Sequence, residues 1–206
     1  MRRPRIAVLD YGIGNLRSAQ KALEKVGAEA RLTTSAAEAA AADATVLPGV
    51  GAFGACMDAL DEAGLADVAR DSALSQRPFL GICVGMQMLF DGSDELPGRA
   101  GLGLVPGMVR WLPDTVKRPQ MQWNRLTVRS GGDPMLVGLG DDTWMYFVHS
   151  LHGVPNDANV IAATCEYDIN VTAAIRQANI FATQFHPEKS STAGLALLAN
   201  FVRSAA

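Results

Sequence analysis

Cysteine is scarce in this 206-residue chain. Cys56, Cys83 and Cys165 stand far apart, with no C-x-x-C pair. That spacing argues against a disulfide framework and a zinc cluster, and it fits a reducing cytosol. Long apolar runs are also missing, so no segment reads as a membrane span. The start, Met1-Arg2-Arg3-Pro4-Arg5, is basic, but the apolar run behind it extends only from Ile6 to Leu9. A secretory signal needs a longer one. Neither sign of charge dominates: the net charge is −3, which gives no general attraction to nucleic acid or an anionic membrane. Repeats and low-complexity tracts are absent, and the Ala-rich stretch Ala36 to Ala42 reads as helix. What the chain does have is apolar content, 49% hydrophobic against 19% charged. That supplies a sizeable core, and the length suits one domain over residues 1–206.

Arg5 to Leu9 reads as a short apolar strand, followed by the loop Asp10-Tyr11-Gly12-Ile13-Gly14-Asn15. Leu16, Ala19, Leu23 and Val26 then recur at helical spacing, and Gly27 supplies the stop. The loop resembles a dinucleotide fingerprint only superficially, because it lacks the third glycine in register. A plain surface loop and a partner-contact loop both stay open. Ala28 to Leu32 is a weak second strand, and Ser35 caps a helix through Ala42, with Glu38 completing a capping box. Thr45 to Leu47 is a third strand, ending in Pro48-Gly49-Val50-Gly51. Glycine on both sides of Val50 frees its peptide to rotate, so this loop can offer backbone N–H groups to a developing oxyanion. A simple strand-to-helix turn is the competing reading. Helices at about Ala52 to Glu62 and Leu65 to Leu74 lead to the next strand. Such alternation signals an α/β fold with a parallel sheet, whose ligands gather at the C-terminal strand ends.

The chain is organised around Phe79-Leu80-Gly81-Ile82-Cys83-Val84-Gly85-Met86-Gln87. An apolar strand runs to Cys83, and Val84 to Phe90 reads as a helical turn and a half. Glycines two residues to either side of Cys83 match the nucleophile elbow, with Cys in place of Ser. Only neighbours without side chains leave room for so sharp a turn. A helix start beside the sulfur favours the reactive thiolate. The alternative is a buried structural cysteine, against which the glycines and the polar Gln87 weigh.

Beyond Gly92 strands dominate: Val105 to Leu112, Met121 to Val128, Thr143 to Val148, Asn159 to Cys165, Thr172 to Arg176 and Ile180 to Phe185. We read them as a mixed or antiparallel extension of the same sheet, with turns at Asp141-Asp142 and Gln177-Ala178-Asn179 and a final helix from Ser191 to Val202. Phe185-His186-Pro187-Glu188 ends the last strand. In an extended chain His186 and Glu188 project to the same side. His186 can then take the Cys83 proton while Glu188 orients the imidazole. His149 and His152 are the rival bases, but no carboxylate follows His149 at suitable spacing.

With the glycine loop, the elbow and His-Pro-Glu in this order, the sequence resembles the class I (triad) glutamine amidotransferases. Asp10 to Leu16, Pro48 to Phe53 and Tyr146-Phe147-Val148-His149-Ser150 narrow the resemblance to the glutaminase subunit of imidazole glycerol phosphate synthase. The chain departs from the family pattern at Gln122, where Gly is common, and at Leu151, where Tyr is frequent. The resemblance implies a flavodoxin-like three-layer fold, with a mostly parallel central sheet and an antiparallel extension. It implies hydrolysis of glutamine to glutamate and ammonia by Cys83, His186 and Glu188, with oxyanion donors at Val84 and the Gly49–Gly51 loop, Gly51 in particular. Glutamine would be held by Gly49, Gly51, Gln87, Ser150 and Leu151, with no cofactor and no metal. It further implies a cytoplasmic heterodimer with a cyclase subunit in histidine biosynthesis, docked near Asn15, Trp123, Asn124, Tyr146 and Lys189. That subunit uses the ammonia to make imidazole glycerol phosphate and an aminoimidazole carboxamide ribonucleotide.

Overall fold

Strands buried on both faces read as unbroken apolar runs, and the first half of the chain is built from such strands apart from the polar edge strand Glu29–Thr33, whose Arg31 is exposed. The computed structural model describes residues 2–129, 132–140 and 142–206. In order come β1 (Arg5–Leu9), α1 (Leu16–Lys25), β2 (Glu29–Thr33), α2 (Ala36–Ala41), β3 (Ala44–Gly49), α3 (Phe53–Glu62), α4 (Ala66–Leu74), β4 (Phe79–Cys83) and α5 (Val84–Gln87). Ile6 to Leu9, Val46, Leu47, Phe79 and Leu80 are all buried. Ser35 caps α2 by accepting from the Glu38 N–H, as a capping box requires. The Glu38 carboxylate, however, accepts from the Thr33 hydroxyl rather than reaching back.

The second half supplies β5 (Phe90–Ser93), β6 (Val105–Trp111), β7 (Gln120–Arg125), β8 (Thr127–Val128), β9 (Trp144–His149), β10 (Leu151–Pro155), β11 (Ile161–Tyr167), β12 (Ile169–Gln177), β13 (Ile180–Thr183) and α6 (Ser191–Ser204). One eight-stranded sheet runs β2-β1-β3-β4-β13-β12-β11-β8. Its first five strands are parallel, and the last three continue it antiparallel. Helices flank it in two groups, α1 with α6 and α4 with both α2 and α3. This is the expected mixed α/β architecture with a mostly parallel central sheet.

Several expectations for the second half are corrected. Only β8, β11, β12 and β13 extend the main sheet; β10-β6-β5 and β7-β9 form two smaller sheets. The elbow helix stops at Gln87, and Phe90 starts a strand instead. The Leu89 carbonyl accepts from the Leu104 and Val105 amides, which turns the chain into the small sheet and buries Phe90 there. The run Met121 to Val128 breaks at Leu126, because β7 pairs with β9 while β8 pairs with β11. Asn159 and Val160 lie in a 3-10 turn that precedes β11. The strand Leu151–Pro155 has no counterpart in the sequence reading. Of the expected Asp141-Asp142 turn, Asp141 lies outside the described residues.

Candidate active site

Gly81 and Gly85 let β4 turn into α5 at Cys83. A Cβ on Gly85 would stand 1.9 Å from the Leu47 carbonyl oxygen, and one on Gly81 would meet Ala182 Cβ and the Gly85 oxygen at 3.0 Å. Cys83 itself adopts φ +56° and ψ −113°. That is a costly conformation for a residue with a side chain, tolerated where the surroundings over-determine it.

The neighbouring strands bring two more segments to this edge. On one side β3 pairs with β4, through Pro48 with Ile82 and Gly49 with Cys83. Pro48 has no N–H. Its pairing with Ile82 must therefore use the Gly49 N–H donating to the Ile82 carbonyl. The alternation of a parallel ladder then directs the Val84 N–H to the Gly49 carbonyl. One expected oxyanion donor thus faces a protein carbonyl in this structure.

On the other side β13 pairs with β4 up to Thr183 and Ile82. The strand ends there, two residues short of the expected end, and the chain carries Gln184, Phe185 and His186 across the same edge. Pro187–Lys189 forms a 3-10 turn, not the extended segment expected. The turn brings Glu188 Oε1 to 2.8 Å from His186 Nδ1. This leaves the other ring nitrogen for Cys83, which lines the same cavity and lies close enough to His186 to raise its pKa. Asn15 Nδ2 donates to the same Glu188 oxygen at 3.2 Å. Burial disfavours the charged imidazole, but the neighbouring Cys83 and Glu188 outweigh it and raise the His186 pKa to about 10. Burial holds His149 at about 4, with its Nδ1 bonded to the Leu151 carbonyl at 2.7 Å. His149 therefore stays neutral beside the pocket.

A cavity of about 550 Å³ opens over the sulfur. Gly51, Cys83, Val84 and Gln87 line it, as do Ser150, Leu151 and His186 opposite. Asn15 and Lys189, for which the resemblance implies a place near the docking face, also line it. Gly49 does not; it packs behind the wall against Tyr11, Val84 and Gly85. Trp123, Asn124 and Tyr146 do not line the cavity; they lie on the β7-β9 ribbon, where Trp123 and Tyr146 are cross-strand partners in edge-to-face contact and the Tyr146 carbonyl accepts from the His186 N–H at 3.0 Å. Asn124 bonds the Glu166 carbonyl.

Three residues at this edge escaped the sequence reading. Gln184 Nε2 reaches Cys83 Sγ at 3.8 Å and its Oε1 accepts from Gln87 Nε2 at 3.0 Å. Gln87 also donates to the Leu151 carbonyl. Tyr11 and Cys56 lie beneath the Pro48–Gly51 loop. Gln184, a polar residue in an otherwise apolar strand end, carried a readable signal; Cys56 carried none.

The family model described as "Glutamine amidotransferase class-I" matches residues 7–205. The chain belongs to that family. Among other glutamine amidotransferases, the chain is 48% identical over 200 residues to "Imidazole glycerol phosphate synthase subunit HisH" of Acinetobacter baylyi, covering 96% of this chain and 97% of that one. The subunit of the same name from Deinococcus radiodurans is 48% identical over 206 residues, covering 98% and 95%. The solved structure of PurLQS from Thermotoga maritima aligns with a TM-score of 0.74 at 21% identity, covering 98% and 97%. That likeness speaks for the amidotransferase fold alone. Among the described residues no cluster of His, Cys, Asp or Glu is arranged to hold a metal ion, and no helix is long and apolar enough to cross a membrane.

Proposed function

We propose that this amidotransferase is the glutaminase subunit of an imidazole glycerol phosphate synthase. It would act as one domain in the cytoplasm, without a cofactor, and pair with a cyclase subunit rather than with nucleic acid or membrane. The observation that carries the reading is the convergence of three groups at one sheet edge. Cys83 stands on its strained elbow, His186 is close to the sulfur, and Glu188 holds the far side of the ring.

Glutamine enters the cavity with its side-chain amide over Cys83, held between Gln87, Gly51 and the Ser150-Leu151 backbone. With its pKa raised to about 10, His186 holds the proton of the Cys83–His186 pair on the ring, and the sulfur attacks the amide carbon. The carbonyl oxygen becomes an oxyanion. His186 returns the proton to the departing nitrogen, the C–N bond breaks, and ammonia leaves. Water, deprotonated by His186, then cleaves the thioester to glutamate and frees the sulfur. Glu188 holds the imidazole in register through both steps.

The oxyanion needs donors that the resting structure does not present. The Gly49 carbonyl must leave the Val84 N–H, and a loop amide must take its place. Turning the single Gly49–Val50 peptide does both, since it removes that carbonyl and presents the Val50 N–H. This moves the loop donor from the Gly51 amide that the resemblance implied to its neighbour. The isolated chain is therefore a poor glutaminase, and docking of the loaded cyclase subunit turns the peptide. Steady-state ammonia release from glutamine, with and without the cyclase subunit and its nucleotide, tests this. Activation of about a hundredfold, the worth of one oxyanion donor, is expected. Full activity of the isolated chain would overturn it.

A further inference from the structure

Two buried side chains pin the loop on either side of the peptide that must turn. The Tyr11 hydroxyl donates to the Pro48 carbonyl at 2.6 Å. The Cys56 thiol, from the first turn of α3, donates to the Val50 carbonyl at 3.2 Å. Tyr11 is 5% exposed and Cys56 is 0% exposed, so water does not compete for either bond. Burial raises both pKa values, so each group keeps its proton at neutral pH.

The pinned carbonyls belong to the Pro48–Gly49 and Val50–Gly51 peptide planes. The plane between them, Gly49–Val50, can turn by changing only ψ of Gly49 and φ of Val50. Resting on the glutaminase reading, we propose that Tyr11 and Cys56 are positioning residues for that reaction: they hold the flanking planes still, so that loop motion is confined to the one peptide that opens the oxyanion site. Without the pins the loop spreads over many conformers, and the productive one is less populated. The Gly49 position is part of the device, because a Cβ there would stand 2.9 Å from the Tyr11 hydroxyl.

The test uses Tyr11→Phe, Cys56→Ala and Cys56→Ser. In the complex with the cyclase subunit and its nucleotide, Tyr11→Phe and Cys56→Ala should each lower kcat about tenfold while KM for glutamine stays within about twofold, because the displaced donor acts in the transition state. Cys56→Ser keeps a hydroxyl donor and should recover most of the loss. Amide hydrogen exchange in the free chain gives a reading that needs no activity. Exchange across Gly49–Gly51 should quicken about tenfold in Tyr11→Phe and Cys56→Ala, and not elsewhere in the sheet. Unchanged exchange and kcat in those variants would overturn the proposal, as would equal losses in Cys56→Ala and Cys56→Ser. If the wild-type complex releases no ammonia, the glutaminase reading fails, and the exchange data still decide whether the loop is pinned.

Discussion

His186 and Glu188 are joined by a 2.8 Å bond made across a 3-10 turn, with only Pro187 between them in sequence. Asn15 donates to the same Glu188 oxygen from the N-terminus of α1, so the carboxylate is held from two sides. Glu188→Gln keeps the size of the side chain and offers the ring an amide in place of a carboxylate. It should lower kcat about a hundredfold or more with little change in KM, since the imidazolium loses its stabilising partner. Asn15→Ala should cost about tenfold or less, because it removes a support for Glu188 and not the partner of the ring. Steady-state glutaminase kinetics on the cyclase complex measure both.

The two histidines at this edge should act on stability in opposite pH ranges. The folded chain raises His186 from an ordinary value near 6.5 to about 10. The unfolded chain binds fewer protons between those values, so this contribution is complete below about pH 6.5 and is lost as pH rises toward 10. His149 is depressed to about 4. Its contribution is complete above about pH 6.5 and is lost as pH falls toward 4. Denaturant unfolding against pH, with the wild type minus His186→Asn and minus His149→Gln, should show the first difference shrinking on the alkaline side and the second on the acid side.

The elbow tolerates no added methyl group on its helical side. Gly85→Ala would drive a Cβ to within 1.9 Å of backbone oxygen in β3. A backbone atom cannot move aside as a flexible side chain can, so this variant should lose about 3 kcal/mol or more of stability. Equilibrium urea unfolding of Gly85→Ala beside the wild type reads it, and a difference below about 1 kcal/mol would contradict the packing described.

The outer face of the β7-β9 ribbon is the proposed seat of the cyclase subunit. Met121 and Trp123 on β7 are 62% and 45% exposed, and Trp144 on β9 is 52% exposed. Exposed aromatic anchors of this kind concentrate binding energy. Trp123→Ala should weaken cyclase binding by about 2 kcal/mol or more, roughly thirtyfold in Kd, and leave the unfolding of the free chain nearly unchanged. Calorimetric titration of the two subunits and thermal unfolding of the variant give the two readings.

The parallel half of the fold was legible because its inner strands β1, β3 and β4 are apolar and buried, while the polar edge strand β2 was read only weakly. The rest was read less well where local pattern and tertiary partner disagree. Phe90 continues a helical apolar pattern, yet the backbone of Leu89 is claimed by Leu104 and Val105 from a distant segment. The run through Leu126 looks continuous, but its two ends pair with different strands. At the site, Cys83, His186 and Glu188 stood out because each lies in a short motif of unusual residues. Tyr11 and Cys56 did not, since their part depends on which carbonyls they meet. That the Gly49 carbonyl is aimed at the Val84 N–H became visible only with the register of β3 on β4.

The account rests on Cys83 as the glutamine-attacking nucleophile. The most direct measurement is mass spectrometry of the chain, complexed with the cyclase subunit, after exposure to acivicin, an electrophilic glutamine analogue. We expect one adduct, on Cys83, suppressed by excess glutamine and lost in Cys83→Ala, with the buried Cys56 and Cys165 unmodified. An unlabelled Cys83, or an adduct that persists in Cys83→Ala, would contradict it.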